Sequence, residues 1–135
     1  DRNVNLKIYE LMSKNRQIIF MGEKENSVVK KFLEKAAISC VPSKWEEPLS
    51  LSVIESLAAG CALLTSSKGG IPEIAGGKAH IINEVSKVNL IKSLEKLIKN
   101  QKYRKELQDK AWKNYSYSAK YSSQKLNKIR MEIIS

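Results

Sequence analysis

The chain has 135 residues, 42% hydrophobic and 28% charged, the composition of an ordinary soluble domain large enough to hold one core without disulfides. No run approaches the ~18 apolar residues of a membrane span, and the chain opens on Asp-Arg-Asn rather than a basic, apolar signal pattern, so spanning and secretory classes are not expected. The net charge of +10 is uneven: residues 1–86 hold 11 Lys/Arg against 10 Asp/Glu, whereas residues 87–135 hold 13 against 4.

Val4, Ile8, Leu11 and Met12 follow helical spacing, and the Lys-Asn-Arg after them ends that helix. Residues 17–21, Gln-Ile-Ile-Phe-Met, read as a short buried strand closed by Gly22. A second helix is expected over about 27–35, with Val28, Val29, Phe32, Leu33 and Ala36 on one face. The apolar run 37–41 follows as a strand stopped by Pro42. Residues 50–59 are helical, with Val53, Ile54, Leu57 and Ala58 inward and Gly60 at a left-handed helix end. A third strand covers 61–65. Gly69-Gly70-Ile71-Pro72-Glu73 is a tight turn feeding a short helix, whose first turn tolerates Pro72 because the N–H that proline lacks has no helical partner there. Gly76-Gly77 ends it, and 79–82 form a fourth strand. An amphipathic helix then puts Leu90, Ile91, Leu94, Leu97 and Ile98 on one side, and 102–134 supply one or two more helices with a break around 115–118. Short apolar strands alternating with helices imply an α/β, Rossmann-like parallel sheet covered on both faces.

Nine of the ten excess positive charges lie on residues 87–135. Basic residues there alternate with helically spaced apolar ones, as on a solvated helix surface or one drawn to anionic lipid heads. No zinc-ligand spacing, RNA-binding aromatic motif or helix-turn-helix signature accompanies the charge, so nucleic acid is not an expected partner. Cys40 and Cys61 each sit in an apolar run and read as free buried thiols of a reducing compartment. The chain reads as one domain, and the lack of an initiator Met is what a piece of a longer protein shows.

In open α/β sheets ligands bind at the carboxyl ends of the strands, which points to the loops after Met21, Val41 and Thr65. The second of these, running from Pro42 to Ser50, leads straight into a helix whose first N–H groups, about Leu49 to Ser52, lack intrahelical partners and attract anions. Two carboxylates flank that end. Glu47 precedes it, and Glu55, one turn inside and pointing to the side, is placed to accept hydrogen bonds from paired sugar hydroxyls. Lys44 and Lys68 are the local candidates for phosphate-side cations. A lone His80 in an apolar strand reads as structural, and no cluster with metal-ligand spacing appears.

The stretch from Pro42-Ser43 through Glu47-Pro48-Leu49-Ser50 to Glu55, then Ala59-Gly60, then Ser66 through Gly69-Gly70-Ile71-Pro72-Glu73, resembles the donor-binding domain of family 4 retaining glycosyltransferases (glycosyl transferases group 1). These have the two-Rossmann-domain GT-B fold. The family's Glu, seven residues, Glu motif is matched by Glu47 and Glu55, and its Gly-Gly-x-Pro-Glu segment by Gly69 to Glu73. The resemblance is most specific over 36–76. Two departures are mild: Leu49-Ser50 replaces the common Phe-Gly, and Ala62 replaces a frequent proline.

The resemblance implies that Glu47 is the catalytic-site residue facing the donor sugar and that Glu55 binds the nucleotide ribose. Backbone N–H groups of Leu49, Ser50 and Leu51 would hold the sugar or diphosphate, with Gly69 and Gly70 beside them, while Met21-Gly22 border the base. It also implies a metal-independent transferase with no cofactor, using a nucleotide-diphosphate sugar to extend a glycan or lipid-linked acceptor in cell-surface polysaccharide or lipopolysaccharide synthesis, and the abundance of Lys, Ile and Asn adds the expectation of a bacterial source. The acceptor domain and the first part of the donor domain, which carries the family's diphosphate-neutralising Arg and Lys, are not in this chain, and without those cations the 135 residues alone are expected to be inactive. The helix at about 117–134 looks like the family's crossover segment. A cytoplasmic location, with peripheral contact to anionic membrane, is the matching expectation. Two other readings fit the same residues: a non-catalytic nucleotide-binding module of this fold, and a related sugar-nucleotide epimerase.

Overall fold

The computed structural model describes residues 2–113 and 119–134. In chain order the elements are α1 (Arg2–Lys14), α2 (Asn26–Leu33), β1 (Ile38–Val41), α3 (Leu51–Ala58), β2 (Ala62–Ser66), α4 (Ile71–Ala75), β3 (Ala79–Ile82), α5 (Lys87–Lys99), α6 (Gln101–Lys113) and α7 (Ala119–Ile134). The three strands form one parallel sheet in the order β1-β2-β3, with Ile38 opposite Ala62 and Leu63 opposite Ala79. Each parallel step is bridged by a helix, as parallel pairing requires. The expected break around 115–118 lies outside the described residues.

Central β2 is buried along its whole length. Its alternation sends Leu63 toward α3 and α4, where it packs with Val53, Leu57, Ile71 and Ile74. Ala62 and Leu64 go to the opposite face, against Ile82 of β3, Leu97 of α5 and Leu107 of α6. Helices therefore cover both faces, and each fully buried Leu contributes about 1.5–3 kcal/mol.

Local chemistry sets the boundaries. Ser86 caps α5 by accepting from the Asn89 N–H at 3.2 Å. Asn100 accepts from the Tyr103 N–H at 2.9 Å to start α6, while the Arg104 guanidinium donates at 3.0 Å to the carbonyls of Leu97 and Ile98 that end α5. The later turns of α6 reach the amino ends of the strands, where Gln108 donates to the Ala37 carbonyl at 3.3 Å. The carboxyl ends are thereby left to the loops 42–50 and 67–70.

Four expectations are corrected. Residues 17–21 are not a strand. The Ile18 and Gln17 N–H groups bond to Asn15, and Ile19 is 76% exposed. An apolar run becomes a strand only where a ladder partner takes its backbone groups, and β1 is the first strand of the sheet. Phe32, expected inward on α2, is exposed. Ile91 and Ile98 likewise lie on the outer side of α5, which buries the expected Leu97 together with Ser93. Cys61 is buried, but Cys40 is exposed on β1; both are free.

Candidate functional site

The site grows from the end of β1. Ser50 closes the 42–50 loop in extended conformation, and its carbonyl accepts the Ile54 N–H at 3.2 Å to begin α3. Its side chain makes no capping bond to the helix. The Ser50 hydroxyl, nearly buried, instead bonds to the Glu47 carboxylate, as does the Ser43 hydroxyl. Ser43 above all, then Ser50, holds the Glu47 carboxyl below the usual range, outweighing the partial desolvation that acts in the other direction. Glu47 is therefore ionised at neutral pH.

A second loop braces the first from behind. The Gly70 N–H donates to the Glu47 carbonyl at 2.8 Å, and the Gly69 N–H donates to the Glu46 carboxylate at 2.6 Å. The other oxygen of that carboxylate pairs with the Lys68 ammonium at 3.0 Å, and the two contacts, Lys68 first, lower the Glu46 pKa. Gly69 has φ +53°, and a Cβ there would lie 2.6 Å from the Glu47 nitrogen and 2.8 Å from its carbonyl carbon. At Gly70 a Cβ would run into the Pro48 carbonyl oxygen. Both glycines are thus required by the close approach of the loops.

Glu47 and Glu55 line one cleft of about 440 Å³ between α2, β1 and α3. Its floor is hydroxyl-rich: Ser39 and Ser56 bond side chain to side chain at 2.7 Å, and Ser56 also donates to the Ser52 carbonyl at 2.7 Å. Val29, Leu33 and Val41 supply apolar wall. Glu55 is exposed and also borders a neighbouring cleft of about 580 Å³ formed with Lys30, Glu34 and Trp112.

The fold thus brings Glu47 and Glu55 together, with Leu49, Ser50 and Leu51 at the start of α3 and Gly69-Gly70 stacked behind the Glu47 loop. Met21 and Gly22 are not among the residues that line this cleft, because the segment before them is not a strand end. Lys44 is exposed and Lys68 is engaged by Glu46; neither lines the cleft. Ser43, Ser39 and Ser56 were missed, although Ser52, Glu55 and Ser56 fall on one helical face at i, i+3 and i+4. Glu46 was missed as well, since nothing local distinguishes it from Glu47. His80 sits away from the cleft between the Tyr103 hydroxyl at 3.0 Å and the Ser93 hydroxyl at 3.2 Å, where burial, then the Lys96 charge, lowers its pKa. Among the described residues no three His, Cys, Asp or Glu side chains converge as a metal site requires. No described helix is long and apolar enough to cross a membrane.

Two comparisons bear on this geometry. The family model for glycosyl transferases group 1 matches residues 3–114. The chain is also 41% identical over 44 residues to an uncharacterized 42.6 kDa protein in cps region of Klebsiella pneumoniae. That stretch is 33% of this chain and spans only 12% of the Klebsiella protein's length.

Proposed function

The chain belongs to the glycosyl transferases group 1 family, and on that premise we propose that it binds the nucleotide-sugar donor for a retaining family 4 enzyme of GT-B architecture. The observation that carries this reading is the shared cleft of Glu47 and Glu55 beside the start of α3. The exposed Glu55 side chain accepts from a ribose hydroxyl pair. The positive end of α3 faces the diphosphate through backbone N–H groups at Leu49 to Leu51. Glu47, kept anionic by Ser43 and Ser50, lies beside the sugar, where positive charge grows at the reacting carbon as the diphosphate leaves. No metal or cofactor enters this scheme.

In the proposal the acceptor is a glycan or lipid-linked saccharide held by a separate N-terminal domain, and the first part of the donor domain supplies cations for the diphosphate. The likeness to a protein in cps region favours cell-surface polysaccharide synthesis. The location proposed is cytoplasmic, with peripheral membrane contact. A second reading, a non-catalytic nucleotide-binding module, is favoured by one observation: neither Lys44 nor Lys68 lines the cleft to neutralise a diphosphate.

Saturation-transfer NMR with UDP, GDP and ADP and their hexose conjugates tests the donor assignment. Ribose and base contacts that vanish in Glu55→Ala are expected, and they name the nucleotide. Contacts that persist unchanged in that variant overturn the role of Glu55. Transfer by the full-length protein separates the enzyme from the binding module.

A further inference from the structure

The outer side of α5 carries apolar side chains in the open. Val88, Ile91 and Ile98 are 59%, 47% and 60% exposed, and their spacing places them in one stripe along the helix. Beside the stripe, Lys92, Lys96 and Lys99 surround a shallow depression closed by Asn100 and Gln101. Glu95, the acid on this face, is paired with Lys99 at 3.2 Å. Lys96 lies 4.7 Å over the Tyr103 ring, which holds its ammonium at the rim. Over residues 87–113 nine Lys/Arg stand against three Asp/Glu.

Apolar side chains standing proud of a lysine field make the pattern of a helix lying in a lipid interface, its apolar stripe among the head groups and its ammonium groups on anionic phosphates. We propose that the outer face of α5 docks the protein on an anionic lipid surface, with Val88, Ile91 and Ile98 inserted and a lipid phosphate seated among Lys92, Lys96 and Lys99. The inner side of α5 packs on the sheet face opposite α3, so docking leaves the Glu47–Glu55 cleft uncovered. This gives a surface and a chemistry to the membrane contact proposed above and does not depend on the donor assignment.

Vesicle flotation of the protein tests it, comparing pure phosphatidylcholine with vesicles that also contain phosphatidylglycerol. Flotation only with the anionic vesicles, weakened by added salt, is expected. The double variant Lys92→Glu/Lys99→Glu is expected to lose roughly tenfold or more in apparent affinity. Ile91→Asn/Ile98→Asn should weaken binding while keeping the salt dependence. These side chains are exposed, so an unchanged thermal melt accompanies each variant. Equal flotation with neutral vesicles, no flotation with either, or binding that survives both double variants and falls with Lys125→Glu/Lys128→Glu on α7 overturns the proposal. Nucleotide binding is scored separately: its loss with flotation intact counts against the donor site alone.

Discussion

Gly69 and Glu47 meet backbone to backbone: a Cβ on Gly69 would lie 2.6 Å from the Glu47 nitrogen, inside any permitted contact. Gly69→Ala therefore incurs the cost of a positive φ, about 1–3 kcal/mol, and also pushes the Glu47 loop aside. Gly77, with φ +75° and open space within 4 Å of where an added Cβ would stand, bears only the first of these. Chemical denaturation is expected to show Gly69→Ala the more destabilised of the two, and equal losses would mean that the loops are not locked together.

Glu47 titrates below the ordinary carboxylate range because Ser43 and Ser50 bond to its ionised form. Ser43→Ala should raise that pKa toward the ordinary carboxylate range, as read by carboxyl NMR. The sign for stability follows from linkage. A carboxylate whose pKa is depressed on folding stabilises above its unfolded pKa and loses that contribution as pH falls through the folded value. The stability deficit of Ser43→Ala is thus expected at neutral pH and should shrink in acid.

Lys68 is spoken for by Glu46 at 3.0 Å, in a pair exposed enough to be screened by solvent. Lys68→Ala is expected to leave the melting temperature nearly unchanged and to raise the Glu46 pKa, with Gly69 still donating to the carboxylate. Nucleotide affinity measured by calorimetry should also stay close to wild type. A marked loss would show that Lys68 leaves Glu46 to meet the diphosphate.

Leu63 and Leu51 give a contrast within one residue type. Leu63 is fully buried at the centre of the sheet, and Leu63→Ala is expected to cost about 2–5 kcal/mol. Leu51 is exposed at the start of α3, and Leu51→Ala should fall within about 0.5 kcal/mol of wild type. Equilibrium denaturation in urea checks both.

Much of the fold was legible because its punctuation is local. Pro42 stops β1, Gly60 ends the turn after α3 with φ +74°, and Pro72 sits in the first turn of α4. Residues 17–21 misled because strand identity belongs to a pair of segments, and composition reports only one of them. Ile91 and Ile98 misled for another reason: helical periodicity groups apolar residues into a stripe but does not say how much of the stripe the sheet covers. At the site, the spacing of Glu47 and Glu55 carried directly into a shared cleft. The choice of Glu46 as the carboxylate that reaches Lys68 and Gly69 depends on how two distant loops pack, which neither loop encodes alone.

The two site loops hang from strands of unequal exposure: among the described residues β1 is at the edge of the sheet, while β2 is paired on both sides and sealed on both faces. Amide hydrogens of Leu63 and Leu64 should therefore exchange with deuterated water only through near-global opening, whereas those around Glu47 and Gly69 exchange through smaller, more frequent excursions. Such excursions separate the loops for a moment without disturbing their anchor, so the cleft can reshape around an arriving ligand many times over for each time the sheet itself lets go.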